Sequence, residues 1–145
     1  MVGCCFGSRN VRRLTELTFV KNKDFLKKWK HKGLQCRVLS SPFEGTLNGY
    51  VAVTEKHPAY GKSYDDLDID VHGGLTFGSQ GRKDSLRWPN PKLWWFGFDT
   101  AHAWDYIKYR DGTESEGHHW TIEEVTAEVE KMAEQFYTLF GGKRT

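Results

Sequence analysis

Between Thr121 and Phe140 the residues Ile122, Val125, Val129, Met132, Ala133, Phe136 and Leu139 recur three or four positions apart and form one apolar helical stripe. Such a stripe is unstable in water, so the rest of the chain must supply an apolar surface to receive it. Thr121 and Glu124 make a capping box at its start, and Gly141 supplies the stop. The receiving surface comes from strands. QCRVLS and LNGYVAVT, separated by Pro42 and Gly45, read as a hairpin, and WWFGFD reads as an aromatic strand. Asn22 to Gly33 reads as a short amphipathic helix, with Phe25, Leu26 and Trp29 at helical spacing, Asn22 as cap and Gly33 as terminator. The expected fold is α+β: a single domain whose mostly antiparallel sheet is packed by a long C-terminal helix and a short N-terminal helix.

At 145 residues the chain fits one domain, which we draw at 22–145, preceded by a basic segment 1–21 without periodicity and expected to be frayed. Residues 1–37 carry ten Lys/Arg and two Asp/Glu, or +8, whereas residues 38–145 carry eleven and seventeen, or −6. A basic arm of this size can attract nucleic acid, yet a Lys-rich face is more often solvated, and nucleic acid is not the expected partner. Cys4, Cys5 and Cys36 are odd in number and lack CxxC spacing, which suits a reducing compartment. With no signal-peptide apolar region and no run of membrane-spanning length, the expectation is a cytoplasmic protein without a membrane partner. GxSxG, Walker, GxGxxG, HExxH, HxH and EF-hand patterns are all absent.

Tyr64 to Phe77, YDDLDIDVHGGLTF, reads as one β-strand, because Leu67, Ile69 and Val71 alternate with Asp66, Asp68, Asp70 and His72. The charged face is then solvent, an edge protected by charge, or a site. Gly73 and Gly74 permit a bulge or a close backbone approach, a ligand being one candidate for what approaches. The loop EKHPAYGKSY delivers Tyr60, Lys62 and Tyr64 beside it, and the turn-rich stretch GSQGRKDSLRWPNPK reads as a mobile loop. Trp94, Phe96 and Phe98 alternate with Trp95, Gly97 and Asp99. Assigning the first set to the core leaves Trp95 and Asp99 on the side of the site.

His72 and His102 each lie at the end of a predicted strand, close to a glycine or to acids. Imidazoles exchange protons in both directions near neutral pH, so one on each side of a phosphodiester can act as general base and general acid without a metal. Asp99 or Asp70 would orient them, as a carboxylate holds the second nitrogen of a catalytic histidine, while Thr76, Lys62 and Tyr60 would hold phosphate and sugar and Trp95 a base. Asp68, Asp70 and Asp99 can instead join the two histidines in holding a divalent cation; the metal ligands stay unassigned. The purely structural reading is that each histidine caps a strand end or bonds a backbone carbonyl.

The segments HPAYGKSYDD, HGGLTF and GFDTAHAWD resemble those of a widespread family of small bacteriophage and bacterial proteins, over residues 50–106. The resemblance points to Tyr60, Gly61, Tyr64, Asp65, Asp66, His72, Gly73, Gly74, Thr76, Gly97, Asp99, His102 and Asp105. Tyr64, Gly73, Gly74 and Asp105 join the candidate substrate contacts, and a phage source would suggest interference with host defence through a cyclic or linear nucleotide signal. HGGLT is also similar to the His-x-Thr element of two-histidine phosphoesterases, although Thr76 lies four residues after His72 instead of two. The expected function is hydrolysis of a nucleotide-type phosphodiester. The alternatives are sequestration of such a ligand without cleavage and inhibition of a host protein; the oligomeric state stays open.

Overall fold

The computed structural model describes residues 25–41, 46–102 and 105–139, so the segment 1–21, Cys4, Cys5 and the Gly141 stop lie outside the described residues. Strands β1 (Phe25–His31), β2 (Leu34–Ser40), β3 (Leu47–Thr54), β4 (Phe77–Gln80) and β5 (Leu93–Asp99) are followed by helix α1 (Ile122–Leu139). They form one sheet of order β1-β2-β3-β5-β4 with every neighbouring pair antiparallel. The architecture is the α+β domain expected, with one exception at its start.

In the segment read as a short N-terminal helix, Phe25–His31 is strand β1, and the Asn22 cap lies outside the described residues. Lys32 and Gly33 have φ of 55° and 78°, the left-handed pair of a two-residue hairpin turn, so the glycine that resembles a helix terminator joins β1 to β2. The helical spacing has a physical origin too. A register shift between Phe25 and Lys27 interrupts the alternation, and both Leu26 and Trp29, three apart, pack against the main core. Trp29 donates its indole N–H to Glu130 (3.0 Å), and the His31 ring meets Glu134 (2.7 Å), which ties this edge strand to α1.

The stripe of α1 meets the sheet as its spacing requires. Val125, Val129, Met132, Ala133 and Phe136 are fully buried against Cys36 and Val38 of β2, Val51 and Val53 of β3, and Phe96 and Phe98 of β5. Gly49 lets the helix sit close, since a Cβ there would fall 2.4 Å from Val129 Cγ2. Thr121 and Glu124 exchange the two capping-box hydrogen bonds at 3.0 and 3.1 Å. Ile122, counted in the stripe, is exposed.

The opposite face of the sheet has its own small core of Leu39, Tyr50, Ala52, Leu93 and Trp95, with Phe77 and Trp88 against it. It is covered by the stretch read as a mobile loop. Gly81 and Arg82 donate to Leu93 and Trp88 carbonyls, Arg37 donates to the carbonyls of Leu86 and Arg87, and Phe77 stacks on Trp88 at 4.7 Å. Trp95, expected beside a ligand, is 0% exposed here and donates its indole N–H to Pro89. Turn chemistry marks a packed cover here, because a sheet with two apolar faces needs two covers.

Tyr64 to Phe77 is not one strand. Tyr64–Asp66 is a 3-10 turn capped by Ser63, residues 67–71 run extended but outside the sheet, His72 and Gly73 turn, and β4 begins only at Phe77. The alternation survives: Ile69 and Val71 are buried, Asp68 and Asp70 exposed. An extended chain lying on a helix has the same period as a strand, and its backbone bonds are made by helix side chains instead of a ladder. Gln135 accepts from Asp70 N–H and donates to Asp70 C=O, both at 2.7 Å, and Glu128 accepts the His72 N–H at 2.9 Å. Among the described residues no helix is long and apolar enough to cross a membrane.

Gln135→Ala removes both bonds that hold Asp70 and leaves the apolar contacts of Ile69 and Val71 in place. The expected cost is about 1–2 kcal/mol in denaturant unfolding, with faster hydrogen exchange at the Asp70 amide. Unchanged stability together with unchanged exchange would show that apolar contact alone holds the segment.

Candidate functional site

At the end of the extended segment, beside the C-terminal end of β5, three side chains converge. Asp105 is only 2% exposed, and its carboxylate accepts from His72 Nε2 at 2.8 Å and from the His102 backbone N–H at 2.9 Å on Oδ2, and from the Trp120 indole at 2.9 Å on Oδ1. The turn is closed from the other side by Asp105 N–H donating to His102 C=O at 2.9 Å. Three donors satisfy a carboxylate that burial would otherwise penalise. Burial by itself would raise the Asp105 carboxyl; the hydrogen bonds from His72, the His102 N–H and Trp120, with the charge attraction of His72, outweigh it and hold it below the usual carboxylate value.

An ionised carboxylate only accepts, so a neutral His72 carries its proton on Nε2 and leaves Nδ1 as a lone pair. Its ring lies 4.5 Å from the Trp120 ring and 5.2 Å from the His102 ring, edge to face with the latter at 80°. The His102 ring lies between two carboxylates, with Nε2 3.5 Å from Asp99 Oδ1 and Nδ1 3.5 Å from Asp105 Oδ2. Neither approach is a hydrogen bond, and Nδ1 is buried without a partner among the described residues. Asp99 is itself fixed, accepting from Ala101 N–H at 3.0 Å and from Thr76 Oγ1 at 3.2 Å.

The backbone approach that Gly73 and Gly74 foretold is real, but its object is a side chain of this protein. A Cβ on Gly73 would lie 2.3 Å from His102 Cε1, and the φ of 69° is itself one that side chains disfavour. Gly74, at φ 79°, serves the turn and donates to the Val71 carbonyl.

Of the residues singled out from sequence, His72, His102, Asp99, Asp105, Gly73 and Thr76 are brought together. The others are not. The Asp70 side chain is 90% exposed and faces Lys131 at 3.8 Å, in an open groove with Asp68, Glu134, Gln135 and Thr138, because the turn at His72 swings the imidazole away from the aspartate face. Asp105, expected to touch substrate, is buried and bonds the His72 ring instead. Tyr60 bonds the Pro91 carbonyl and packs its ring on Trp94, Tyr64 packs on the main core, Lys62 is exposed in its loop, and Trp95 lies under the opposite face. Trp120 and Glu128 were missed. A half-buried indole needs an acceptor, which is the signal that could have tied Trp120 to a nearby aspartate.

Because the folded Asp105 carboxyl titrates below its unfolded value, the unfolded chain takes up the proton first as pH falls. The stabilisation is complete above the ordinary carboxylate value of about 3.9 and is lost as pH drops through the lower folded value. Asp105→Asn puts an amide N–H₂ where one of the N–H donors now points. We expect a loss of about 1–3 kcal/mol at pH 7 that shrinks as the pH is taken below 3.9, read by denaturant unfolding at both pH values. A deficit that stays constant with pH would mean that the carboxylate is not the ionised hub.

Comparison with protein-family models, with curated proteins and with solved structures finds no match for this chain, so the chemistry of the site rests on its own geometry.

Proposed function

We propose that the protein is a hydrolase of a nucleotide-type phosphodiester, with water activated at the cluster of His72, His102 and Asp105. The observation that carries this reading is the hydrogen bond from His72 Nε2 to the buried Asp105 carboxylate, which leaves the opposite ring nitrogen as an oriented base on a side chain that is 26% exposed. His102, 32% exposed beside Asp99, supplies the second proton-transfer group, and the Thr76 hydroxyl lies next to it.

The geometry alters one part of the scheme drawn from sequence. Rings 5.2 Å apart in edge contact leave no room for a phosphodiester between them, so both imidazoles serve a substrate approaching from one side. Lys62 and Tyr60 have no part in this arrangement. The nucleotide character of the substrate, with a role in countering host defence, comes from the sequence segments HPAYGKSYDD, HGGLTF and GFDTAHAWD and not from the geometry.

Purified protein incubated with cyclic mononucleotides, cyclic dinucleotides and linear dinucleotides should deplete at least one of them and release a hydrolysed product. His72→Gln and His102→Gln should each lower turnover by about 10²–10⁴-fold while unfolding shows a folded chain. Turnover within threefold of wild type in both variants would remove the mechanism. Recovery of intact nucleotide from the denatured complex, with no product, would replace hydrolysis by sequestration.

A further inference from the structure

We propose that His72, His102 and Asp105 hold a divalent first-row transition-metal ion, with zinc the first candidate, through one nitrogen of each imidazole and Asp105 Oδ2. One such atom from each residue lies within 4.8 Å of the other two. Asp105 Oδ2 is 2.8 Å from His72 Nε2 and 3.5 Å from His102 Nδ1. Ligands about 2.1 Å from a tetrahedral zinc ion stand about 3.4 Å from one another, a spacing that the two Asp105 Oδ2 distances bracket.

Two independent features point to an ion at this spot. The first is His102 Nδ1, buried and without a hydrogen-bond partner among the described residues, in a cluster where the Asp105 carboxylate is fully satisfied. A bound cation would satisfy it. The second is the arrangement behind the ligands. The other ring nitrogen of His102 faces Asp99, which Thr76 and Ala101 hold in place, and the free oxygen of Asp105 is held by Trp120. A carboxylate behind the outer nitrogen of a ligating histidine, and a donor behind the outer oxygen of a ligating aspartate, are the supports that orient metal ligands.

The donor set selects the ion. Two imidazoles and one carboxylate suit zinc, iron(II), cobalt(II) or manganese(II), whereas calcium and magnesium require oxygen ligands. On binding, neutral His72 moves its proton from Nε2 to Nδ1, and the lone pair freed on Nε2 goes to the metal. Three protein ligands leave a coordination position for water, the pattern of catalytic sites as opposed to structural ones. Here the inference rests on the hydrolytic reading of the cluster: with the ion bound, water is activated by the metal and His72 acts as a ligand instead of a base.

The test uses the full-length, untagged, chelator-stripped chain. Titration with Zn²⁺ by calorimetry should give one site lost in His102→Ala and weakened at least 100-fold in Asp105→Asn. Asp99→Asn should weaken it about 10-fold, and Asp70→Asn should leave it unchanged. Wild-type protein keeps the test independent of variant folding: Zn²⁺ should raise its melting temperature, and long-range ¹⁵N–¹H spectra should show coordination at Nδ1 of His102 and Nε2 of His72. Co²⁺ should bind with visible ligand-field bands and without the thiolate charge-transfer band that Cys4, Cys5 or Cys36 would give. Absence of saturable binding, or binding indifferent to His102→Ala, overturns the metal site. Zinc bound at these residues without nucleotide hydrolysis sustains the metal site and overturns the hydrolase; hydrolysis undiminished by chelator does the reverse.

Discussion

The buried carboxylate of Asp105 is the interaction on which the described end of this molecule depends. It joins three parts of the chain far apart in sequence: His72 at the end of the segment lying on α1, His102 just beyond β5, and Trp120 at the entrance to α1. A lone charge in such a place would be costly, and among the described residues Oδ1 depends on the Trp120 indole while Oδ2 shares two donors. The network therefore acts as a clasp. It fixes where the turn at His72 and Gly73 can lie, and it holds both imidazoles against one another with no regular secondary structure beneath either.

What surrounds the clasp is a sheet made rigid from both sides. Aromatic residues of β5 alternate between the α1 core and the smaller core of Tyr50, Trp95 and Leu93, so the strand that ends at Asp99 is packed on both faces. Such a strand is a firm mount. The site grows from its C-terminal end through Asp99 to His102, while the partner histidine arrives from a segment whose backbone is held by Gln135 and Glu128 of the same helix that covers the core. Rigid elements thus position side chains carried on loops, which is where binding and reactive groups are usually found.

The amphipathic stripe of α1, its capping box, the β2–β3 hairpin and the inward set Phe96 and Phe98 were legible in the sequence, because burial and local hydrogen bonding enforce each of them at short range. The N-terminal helix was misread because a bulge in β1 imitates helical spacing, and because a glycine in a hairpin turn has the same conformational freedom as one ending a helix. The pairing of His72 with His102 was legible from the density of ionisable groups. Which aspartate serves them was not. Asp70 stands two residues from His72, yet alternation directs it outward, and Asp105 reaches the ring only through a tertiary contact of 33 residues' separation. Trp95 was misplaced for a related reason: a period of two separates the faces of a strand but does not say that both are covered.

Satisfaction is unevenly distributed within the cluster. Every carboxylate oxygen of Asp105 is engaged, Asp99 is engaged twice, and Gly73 gives up a side chain to make room for the His102 ring, yet among the described residues that ring has a buried nitrogen without a hydrogen bond. Had the network evolved only to close the fold, the cheapest solution would have been a ring that donates to Asp99 or Asp105 at hydrogen-bond distance, and both carboxylates are near enough for a small rotation to achieve it. A fold that anchors the carboxylates beyond hydrogen-bond distance of the imidazole leaves that nitrogen to be satisfied by something other than these two side chains. The unmet hydrogen-bonding demand is thus concentrated at one buried atom, beside a second imidazole, while both neighbouring carboxylates are engaged elsewhere.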